Sequence, residues 1–112
     1  MKAISTPLSQ SISEKDFGAA VMDFARLYGW WGYHTYDSRR SAFGWPDLVL
    51  MNPGRKVILF RELKSEKGKI TDHQHIWLEM LRECGQDAKV WRPSDWKSIV
   101  ETLSFGQAEV TL

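Results

Sequence analysis

Two short motifs in the middle of this 112-residue sequence combine carboxylates with a lysine. The first is Gly44-Trp45-Pro46-Asp47, and the second, fifteen residues after Asp47, is Glu62-Leu63-Lys64. If the second motif is a strand, Glu62 and Lys64 project from one face, while Leu63 turns to the other and leaves its carbonyl between them. The preceding residues, Val57 to Phe60, are apolar on both faces. Charges at the end of such a buried strand are costly unless they are paired or bind a metal.

A β-hairpin would bring the two motifs together. Asp47 to Asn52 and Lys56 to Lys64 are apolar runs separated by Pro53-Gly54-Arg55, which predicts a hairpin of two central strands. Asp47 then lies near Glu62, and two carboxylates with the Leu63 carbonyl can bind a hard divalent cation such as Mg²⁺. A metal beside a lysine suits phosphodiester hydrolysis, because it stabilises developing charge and acidifies a water. The alternative is an ion pair of Glu62 with Lys64 or Arg61.

The elements around the hairpin predict an α/β fold. Ser13 to Asp16 has the form of a capping box, and helical periodicity follows as far as Tyr28. The other predicted elements are a strand over 30–36, a loop over 37–46, a helix over 72–84, a strand over 88–91, and a helix over 95–103 that Ser94 can cap. The order αβββαβα predicts a mixed central sheet flanked by helices. Residues 1–12 are expected to be a flexible lead-in to a single domain over 13–112.

Composition narrows the class of protein. The net charge is only +1, but residues 39–75 hold eight Lys or Arg and four Asp or Glu, a bias that fits phosphate binding or an ordinary solvated surface. Cys84 is the only cysteine, so neither an intramolecular disulfide nor a cysteine zinc site is possible. No apolar run approaches the ~20 residues of a membrane span, and there is no signal-peptide core. We expect a cytoplasmic protein with no membrane partner.

The combined motifs resemble a known family. G-W-P-D-L and E-L-K, followed by K-G-K-I-T-D-H-Q-H-I-W and V-W-R-P-S-D-W, resemble the VRR-NUC branch of the PD-(D/E)XK nucleases from Ser13 to Leu103. Members of that branch occur as small stand-alone proteins in phages and bacteria, and as the nuclease part of a eukaryotic Fanconi-anaemia-associated nuclease. The small members resemble Holliday junction resolvases in fold and dimeric state. The resemblance implies a restriction-endonuclease-like core, Mg²⁺ or Mn²⁺ as cofactor, and branched DNA as substrate.

The resemblance also implies roles for individual residues. Asp47 and Glu62 become metal ligands with the Leu63 carbonyl, and Lys64 becomes the catalytic lysine. Glu14, on the first helix, becomes a further acidic residue of the site and a candidate metal ligand; its simpler interpretation is an acid favoured by the helix dipole. Gln74 becomes the polar residue that follows the E-x-K strand, although it could merely be solvated.

Two residues depart from the family pattern. Arg61 stands where a small or apolar neighbour of the glutamate is usual, and Gly18 falls in the middle of the first helix, where it costs ~1 kcal/mol relative to Ala.

Residues outside these motifs receive simpler interpretations. His73 and His75 cannot chelate one metal from a helix, because positions i and i+2 point to different faces. His34 is expected to be a structural histidine, and Trp77, Trp91 and Trp96 are expected to be core or interface residues. Phosphate contacts are expected from the basic loop residues Arg39, Arg40, Lys67 and Lys69.

These observations predict a divalent-metal-dependent, structure-selective DNA endonuclease that cuts four-way junctions as a homodimer. A chain of this length has no separate module for choosing DNA, so selectivity would come from the spacing of two sites across a two-fold axis. The alternative function is a DNA-binding or assembly module that keeps the nuclease fold without cutting. A third possibility, a small interaction domain with a surface ion pair, requires the combined motifs to be a coincidence.

Overall fold

The computed structural model describes residues 11–35 and 42–110, with side chains as far as Ser104. The element order is αβββαβα, as the sequence predicts, with one additional 3₁₀ turn over Pro93–Asp95. The elements are α1 (Glu14–Leu27), β1 (Trp31–His34), β2 (Leu48–Asn52), β3 (Val57–Leu63), α2 (Asp72–Glu83), β4 (Asp87–Trp91) and α3 (Trp96–Val110). Among the described helices, none has the length and apolar character needed to span a bilayer.

The four strands form one mixed sheet in the order β1-β2-β3-β4. The pairs β1–β2 and β2–β3 are antiparallel, and β3–β4 is parallel, so the predicted mixed sheet is confirmed. The apolar sides of α1 and α3 cover one face of the sheet and form the core with it, through Phe17, Val21, Phe24, Leu48, Leu50, Leu59, Trp91, Trp96, Ile99 and Leu103. Helix α2 lies against the opposite face, where Trp45 contacts both Phe60 of β3 and Trp77 of α2.

Local hydrogen bonds explain where the elements begin and turn. The Ser13 hydroxyl accepts a hydrogen bond from the Asp16 N–H at 3.0 Å and caps α1, as predicted. The β2–β3 hairpin turns over residues 53–56, where the Asn52 side chain accepts from the Arg55 N–H and Lys56 has a left-handed φ of 58°. Because the turn fixes the register of the two central strands, it also fixes which residues face each other at their far ends.

The C-terminal helix corrects the sequence prediction. Ser94 does not cap it; the chain makes a 3₁₀ turn there, and the Asp95 carboxylate accepts a hydrogen bond from the Arg92 N–H at 2.8 Å. The helix therefore begins at Trp96, and it extends to Val110 rather than ending at Leu103. A proline at the first position of the turn has no N–H to satisfy, which favours this start over a helix beginning at Asp95.

Two predictions fall partly outside the described residues. For the expected lead-in over 1–12, residues 1–10 are not described, whereas Ile12 is half-buried and packs against the core. The first strand ends at His34. Tyr36, the last residue of its predicted extent, and the basic loop residues Arg39 and Arg40 lie outside the described residues.

Candidate active site at the ends of β2 and β3

Asp47 and Glu62 lie together at the end of the hairpin away from its turn. Leu48 pairs with Arg61 in the β2–β3 register, so Asp47, one residue earlier, faces Glu62, one residue later. A hydrogen bond fixes this arrangement, because the Leu63 N–H donates to Asp47 Oδ2 at 3.0 Å. The predicted convergence of the Pro-Asp and Glu-x-Lys motifs is present in the structure.

Glu62 is buried, and its surroundings favour the protonated acid. Its residue is only 1% exposed. Burial and the nearby charge of Asp47 raise the pKa of Glu62 to about 8, and the ammonium of Lys64 opposes this rise. Lys64 Nζ lies 3.6 Å from Glu62 Oε2, so the Glu62–Lys64 contact weighed in the sequence analysis is present. A cation bound beside these two carboxylates would relieve the repulsion between them.

Gln74 connects the first turn of α2 to Glu62. The Thr71 hydroxyl accepts from the Gln74 N–H, and Gln74 Oε1 accepts from the Thr71 N–H at 2.8 Å, which is a complete capping box. Because that bond fixes the oxygen of the amide, Nε2 is left to donate to Glu62 Oε2, also at 2.8 Å. Gln74 therefore contacts the site, and the capping box holds its amide in the orientation that Glu62 needs.

A cleft opens beside these residues. Two adjoining cavities of about 530 Å³ and 440 Å³ share Glu14, His34 and Asp47 in their walls. The larger runs along α1, and the smaller reaches towards Gln74. Partial burial raises the pKa of Glu14, followed by the charge of Asp47, while Lys64 and His34 oppose the rise, which places Glu14 within the electrostatic reach of the site. A carboxylate on α1 thus belongs to the same cleft as the hairpin residues.

His34, which the sequence analysis expected to be a structural histidine, borders both cavities of the cleft. It is the last residue of β1 and pairs with Leu48, next to Asp47, so the half-buried ring lies in the wall of the cleft. The signal available in the sequence was its position at the end of a strand that precedes the Pro-Asp motif.

Aromatic contacts hold the segment that carries Asp47. The rings of Trp45 and Trp77 are 5.1 Å apart, and the Trp77 indole N–H donates to the Phe43 carbonyl at 2.9 Å. Gly44, between Phe43 and Trp45 in the chain, has a φ of +87°, and a methyl group there would lie 2.6 to 2.8 Å from atoms of His73. Trp91 and Trp96 are buried, as predicted, while Trp77 is half-buried and fixes this loop against α2.

Arg61 is not part of the site. Its guanidinium lies 2.9 Å from Asp87 and stacks over the Trp91 ring at 4.6 Å. The Glu62–Arg61 pair considered in the sequence analysis is therefore absent, because strand alternation sends the two side chains to opposite faces. Arg61, which departs from the family pattern, thus has its charge paired with Asp87 of β4.

Gly18 lies where α1 crosses the sheet. A methyl group at Gly18 would lie 3.4 Å from Cδ1 of Leu63 and 3.9 Å from Nε2 of His34, both of which border the cleft. Both distances are ordinary van der Waals contacts, so α1 lies next to the end of β3 here without requiring a glycine.

The remaining predicted residues lie at varying distances from the cleft. Lys67 and Lys69 are exposed on the loop after β3. His73 and His75 are exposed on α2. Arg39 and Arg40 lie outside the described residues.

The donors at the site fit a hard divalent cation. Within 11–35 and 42–110, no three His, Cys, Asp or Glu side chains approach closely enough to hold a metal by themselves. Glu62 Oε1, however, is a buried oxygen for which the described residues supply no hydrogen-bond donor. Asp47, Glu62 and the Leu63 carbonyl are oxygen donors of the kind that Mg²⁺ and Mn²⁺ prefer, and Mg²⁺ usually retains several waters. The residues therefore fit such an ion, while a ligand role for Glu14 stays a prediction.

The raised pKa of Glu62 has a measurable effect on stability. A carboxyl whose folded pKa exceeds its unfolded value stabilises the fold fully below about pH 4.5, and this contribution is lost as the pH rises through about 8. We expect Glu62→Gln to raise the free energy of unfolding of the metal-free protein at pH 8.5 by on the order of 2 kcal/mol, with a smaller change at pH 5. Urea titrations in EDTA measure this, with the exposed Glu101→Gln as control. If the stability of Glu62→Gln depends on pH in the same way as that of the wild type, burial and Asp47 do not raise the pKa of Glu62.

The fold and the site together define a class of protein. A mixed sheet in the order αβββαβα, with Asp47, Glu62 and Lys64 at the ends of its two central strands, is the arrangement of a PD-(D/E)XK-type nuclease domain. Residues 13–95 match the model of the VRR-NUC domain family. The chain belongs to the VRR-NUC family, as the sequence motifs indicated.

Individual relatives agree with this assignment. The Fanconi-associated nuclease 1 homolog of Schizosaccharomyces pombe is 36% identical over 56 residues, which are 50% of this chain and 8% of that protein. The homolog of Caenorhabditis elegans is 35% identical over 52 residues, 46% of this chain and 6% of that protein. This chain thus spans less than a tenth of the length of these relatives.

One solved structure has the same fold. A structure described as a VRR_NUC domain has a TM-score of 0.59 and 26% identity, and the match covers 80% of this chain and 97% of that chain. The Holliday junction resolvase Hjc of Archaeoglobus fulgidus is a weaker match, with a TM-score of 0.45 and 23% identity over 69% of this chain and 61% of that chain. The VRR-NUC domain structure therefore supports the fold assignment made from the sequence.

Proposed function

We propose that this chain is a Mg²⁺- or Mn²⁺-dependent DNA endonuclease that hydrolyses phosphodiester bonds. The observation that carries the proposal is the convergence of Asp47, Glu62 and Lys64, with Gln74 donating to one oxygen of Glu62 while the other has no partner among the described residues. Membership of the VRR-NUC family supports hydrolysis of nucleic acid as the use of this site.

Each residue has a distinct task in the proposed reaction. Asp47, Glu62 and the Leu63 carbonyl would hold a divalent ion, which would supply Lewis acidity and lower the pKa of a bound water. Gln74 and the Leu63 N–H hold the two carboxylates in place through single hydrogen bonds. Lys64, only 12% exposed and beside Glu62, presents its ammonium to the scissile phosphate and helps to orient the attacking water. Glu14 would contribute a further carboxylate on the α1 side of the cleft.

DNA would reach the cleft through contacts with its backbone. Lys67 and Lys69 are exposed on the loop that follows Lys64, and Arg39 and Arg40 precede the Pro-Asp motif. Contacts of lysine and arginine with phosphates position a duplex without reading its bases. Binding is therefore expected to depend strongly on salt concentration and weakly on DNA sequence.

We propose further that the chain acts as a homodimer through an exposed apolar patch on the sheet. Trp31, Met51 and Ile58 lie side by side across β1, β2 and β3 with exposed fractions of 69%, 40% and 45%, and Tyr33 of β1 is 60% exposed. No charged residue occurs at the positions of this face between Trp31 and Phe60 in the three paired strands. Monomeric proteins rarely expose a contiguous apolar patch of this kind, which supports burial against a second copy.

A charge placed in the patch should separate the dimer. We expect Trp31→Asp to give a monomer at micromolar concentration in sedimentation velocity, because an unpaired carboxylate in an apolar interface costs several kcal/mol. Leu27→Asp is the matched control, since Leu27 is 70% exposed on α1, outside the patch, and this variant should remain dimeric. A wild-type monomer, or equal dissociation of both variants, would remove the patch from the proposal.

The substrate is tested with a panel of labelled DNAs of equal length. We expect paired nicks in a four-way junction at a higher rate than in flapped or linear duplexes, because two sites related by a two-fold axis match symmetry-related strands. Equal rates on every DNA would leave a nuclease without preference for junctions. Tight binding of DNA with no cleavage in Mg²⁺ or Mn²⁺ would instead indicate the non-cleaving binding module.

A further inference from the structure

Arg92 is the residue that fastens the loop after β3 to the rest of the molecule. Its Nη1 atom donates to the carbonyls of Ser65 at 2.8 Å, Glu66 at 3.3 Å and Gly68 at 2.6 Å. The Ser94 N–H adds a bond to Glu66 Oε1 at 2.9 Å. One terminal nitrogen of the guanidinium group therefore meets three carbonyls, and because it has two N–H groups, at least one of them is shared between two acceptors.

The fastened loop packs against Lys64. Its turn is closed by the Gly68 N–H, which donates to the Ser65 carbonyl at 3.2 Å. A methyl group on Gly68 would lie 3.0 Å from Ser65 Oγ and 3.6 Å from Cδ of Lys64, so Gly68 lies beside the stem of the lysine. The Lys64 N–H itself donates to the Trp91 carbonyl at 3.1 Å. Trp91 thus holds the backbone of Lys64, and the stem of the lysine lies beside the turn that Arg92 binds.

We propose that Arg92 is a positioning residue for Lys64, acting through the turn over residues 65–68. By holding the carbonyls of the turn, it confines the Lys64 stem and keeps Nζ beside Glu62, 3.6 Å from Oε2. Without that support, the flexible four-carbon stem gains rotamers that carry the ammonium away from the carboxylates. The proposal rests on the proposed nuclease function only for its kinetic consequence, since the confinement of Lys64 can be measured without DNA.

The variant that tests this is Arg92→Lys, which retains the positive charge but ends one bond short of the position of Nη1, the atom that reaches the three carbonyls. The matched control is Arg55→Lys, because Arg55 Nη1 donates to the Thr102 carbonyl at 2.8 Å and the guanidinium stacks over Trp30, at the opposite end of the sheet. Both variants disturb hydrogen bonds from an arginine to backbone carbonyls of another part of the chain, and both keep the net charge. Comparing them at a temperature where both are folded separates a general loss of stability from an effect on the site.

The first measurement is the rate at which acetic anhydride modifies Lys64 in the DNA-free protein, followed by peptide mass spectrometry with the exposed Lys89 as internal reference. We expect Arg92→Lys to raise the reactivity of Lys64 at least about 5-fold relative to Lys89, because its confinement is lost, and Arg55→Lys to leave the ratio unchanged. If Arg92→Lys leaves the ratio unchanged, or if Arg55→Lys raises it equally, Arg92 does not position Lys64.

The second measurement is the steady-state rate of DNA cleavage over a range of substrate concentrations, which gives kcat and KM separately. We expect Arg92→Lys to lower kcat by about 10-fold or more with KM within about 2-fold, and Arg55→Lys to change neither. A loss confined to KM, with kcat unchanged, would overturn the proposal. If the wild-type chain does not cut DNA, the proposed function fails, and the lysine reactivity alone still decides the role of Arg92.

Discussion

Asp47→Asn is expected to lower the rate of DNA cleavage by at least about 10³-fold while leaving the fold intact. The loss follows because the variant removes one of the two anionic groups that would hold the divalent ion. The fold survives because the new amide keeps an oxygen that can accept the Leu63 N–H, the bond that Asp47 Oδ2 makes at 3.0 Å. Single-turnover cleavage, circular dichroism and thermal unfolding of the purified variant measure the two effects separately.

Two further variants sharpen this prediction. Glu101→Gln removes an exposed carboxylate of α3 and should cut at the wild-type rate. Lys64→Ala should be inactive as well, yet retain divalent-ion affinity in a calorimetric titration, because the lysine supplies no ligand. If Asp47→Asn protein that is free of wild-type enzyme cuts at the wild-type rate, Asp47 is not part of a catalytic metal site.

Gly44→Ala is expected to cost about 2 to 4 kcal/mol of folding free energy and to impair the site at the same time. Alanine is strained at the φ of +87°, and its methyl group would lie 2.6 Å from the carbonyl carbon of His73. The backbone at the start of α2 would have to move, and that turn carries Gln74, whose amide donates to Glu62. Chemical denaturation measures the stability loss, and metal titration by thermal shift measures the damage to the site.

Gly29→Ala separates the two causes. Gly29 has a similar φ of +83°, but a methyl group there meets nothing within 4 Å. Only the backbone strain remains at that position, so we expect a loss of about 1 kcal/mol and no change in metal response. Equal losses at the two glycines would show that the contact between Gly44 and α2 is unimportant.

The convergence of the hairpin residues was predictable because it depends on strand geometry alone. Strand alternation places Glu62 and Lys64 on one face, and an antiparallel hairpin sets the start of β2 beside the end of β3. The Pro53-Gly54-Arg55 turn is visible in the sequence, and the observed register, with Leu48 opposite Arg61, follows from it. The amphipathic helices were equally visible, since their apolar positions recur at helical spacing.

Other features depend on contacts between elements that no local pattern encodes. The link from Gln74 to Glu62 joins α2 to β3 and exists only because Oε1 of the amide is taken by the Thr71 N–H. Strand alternation excludes Glu62 as the partner of Arg61, but identifying Asp87 on β4 as its partner requires the strand order of the sheet. The start of α3 was misplaced because Ser94 is a good capping residue in isolation, whereas the structure uses the Asp95 carboxylate in a 3₁₀ turn.

The most direct test of a metal-dependent nuclease centre at Asp47 and Glu62 is the initial rate of four-way junction cleavage in different ions. With Mg²⁺ or Mn²⁺ we predict cleavage, because the donors are oxygens throughout. With Ca²⁺, a larger ion and a poorer Lewis acid in such sites, we predict DNA binding with little turnover, and in excess EDTA no cleavage. Cleavage at the full rate in excess EDTA would contradict the proposed centre.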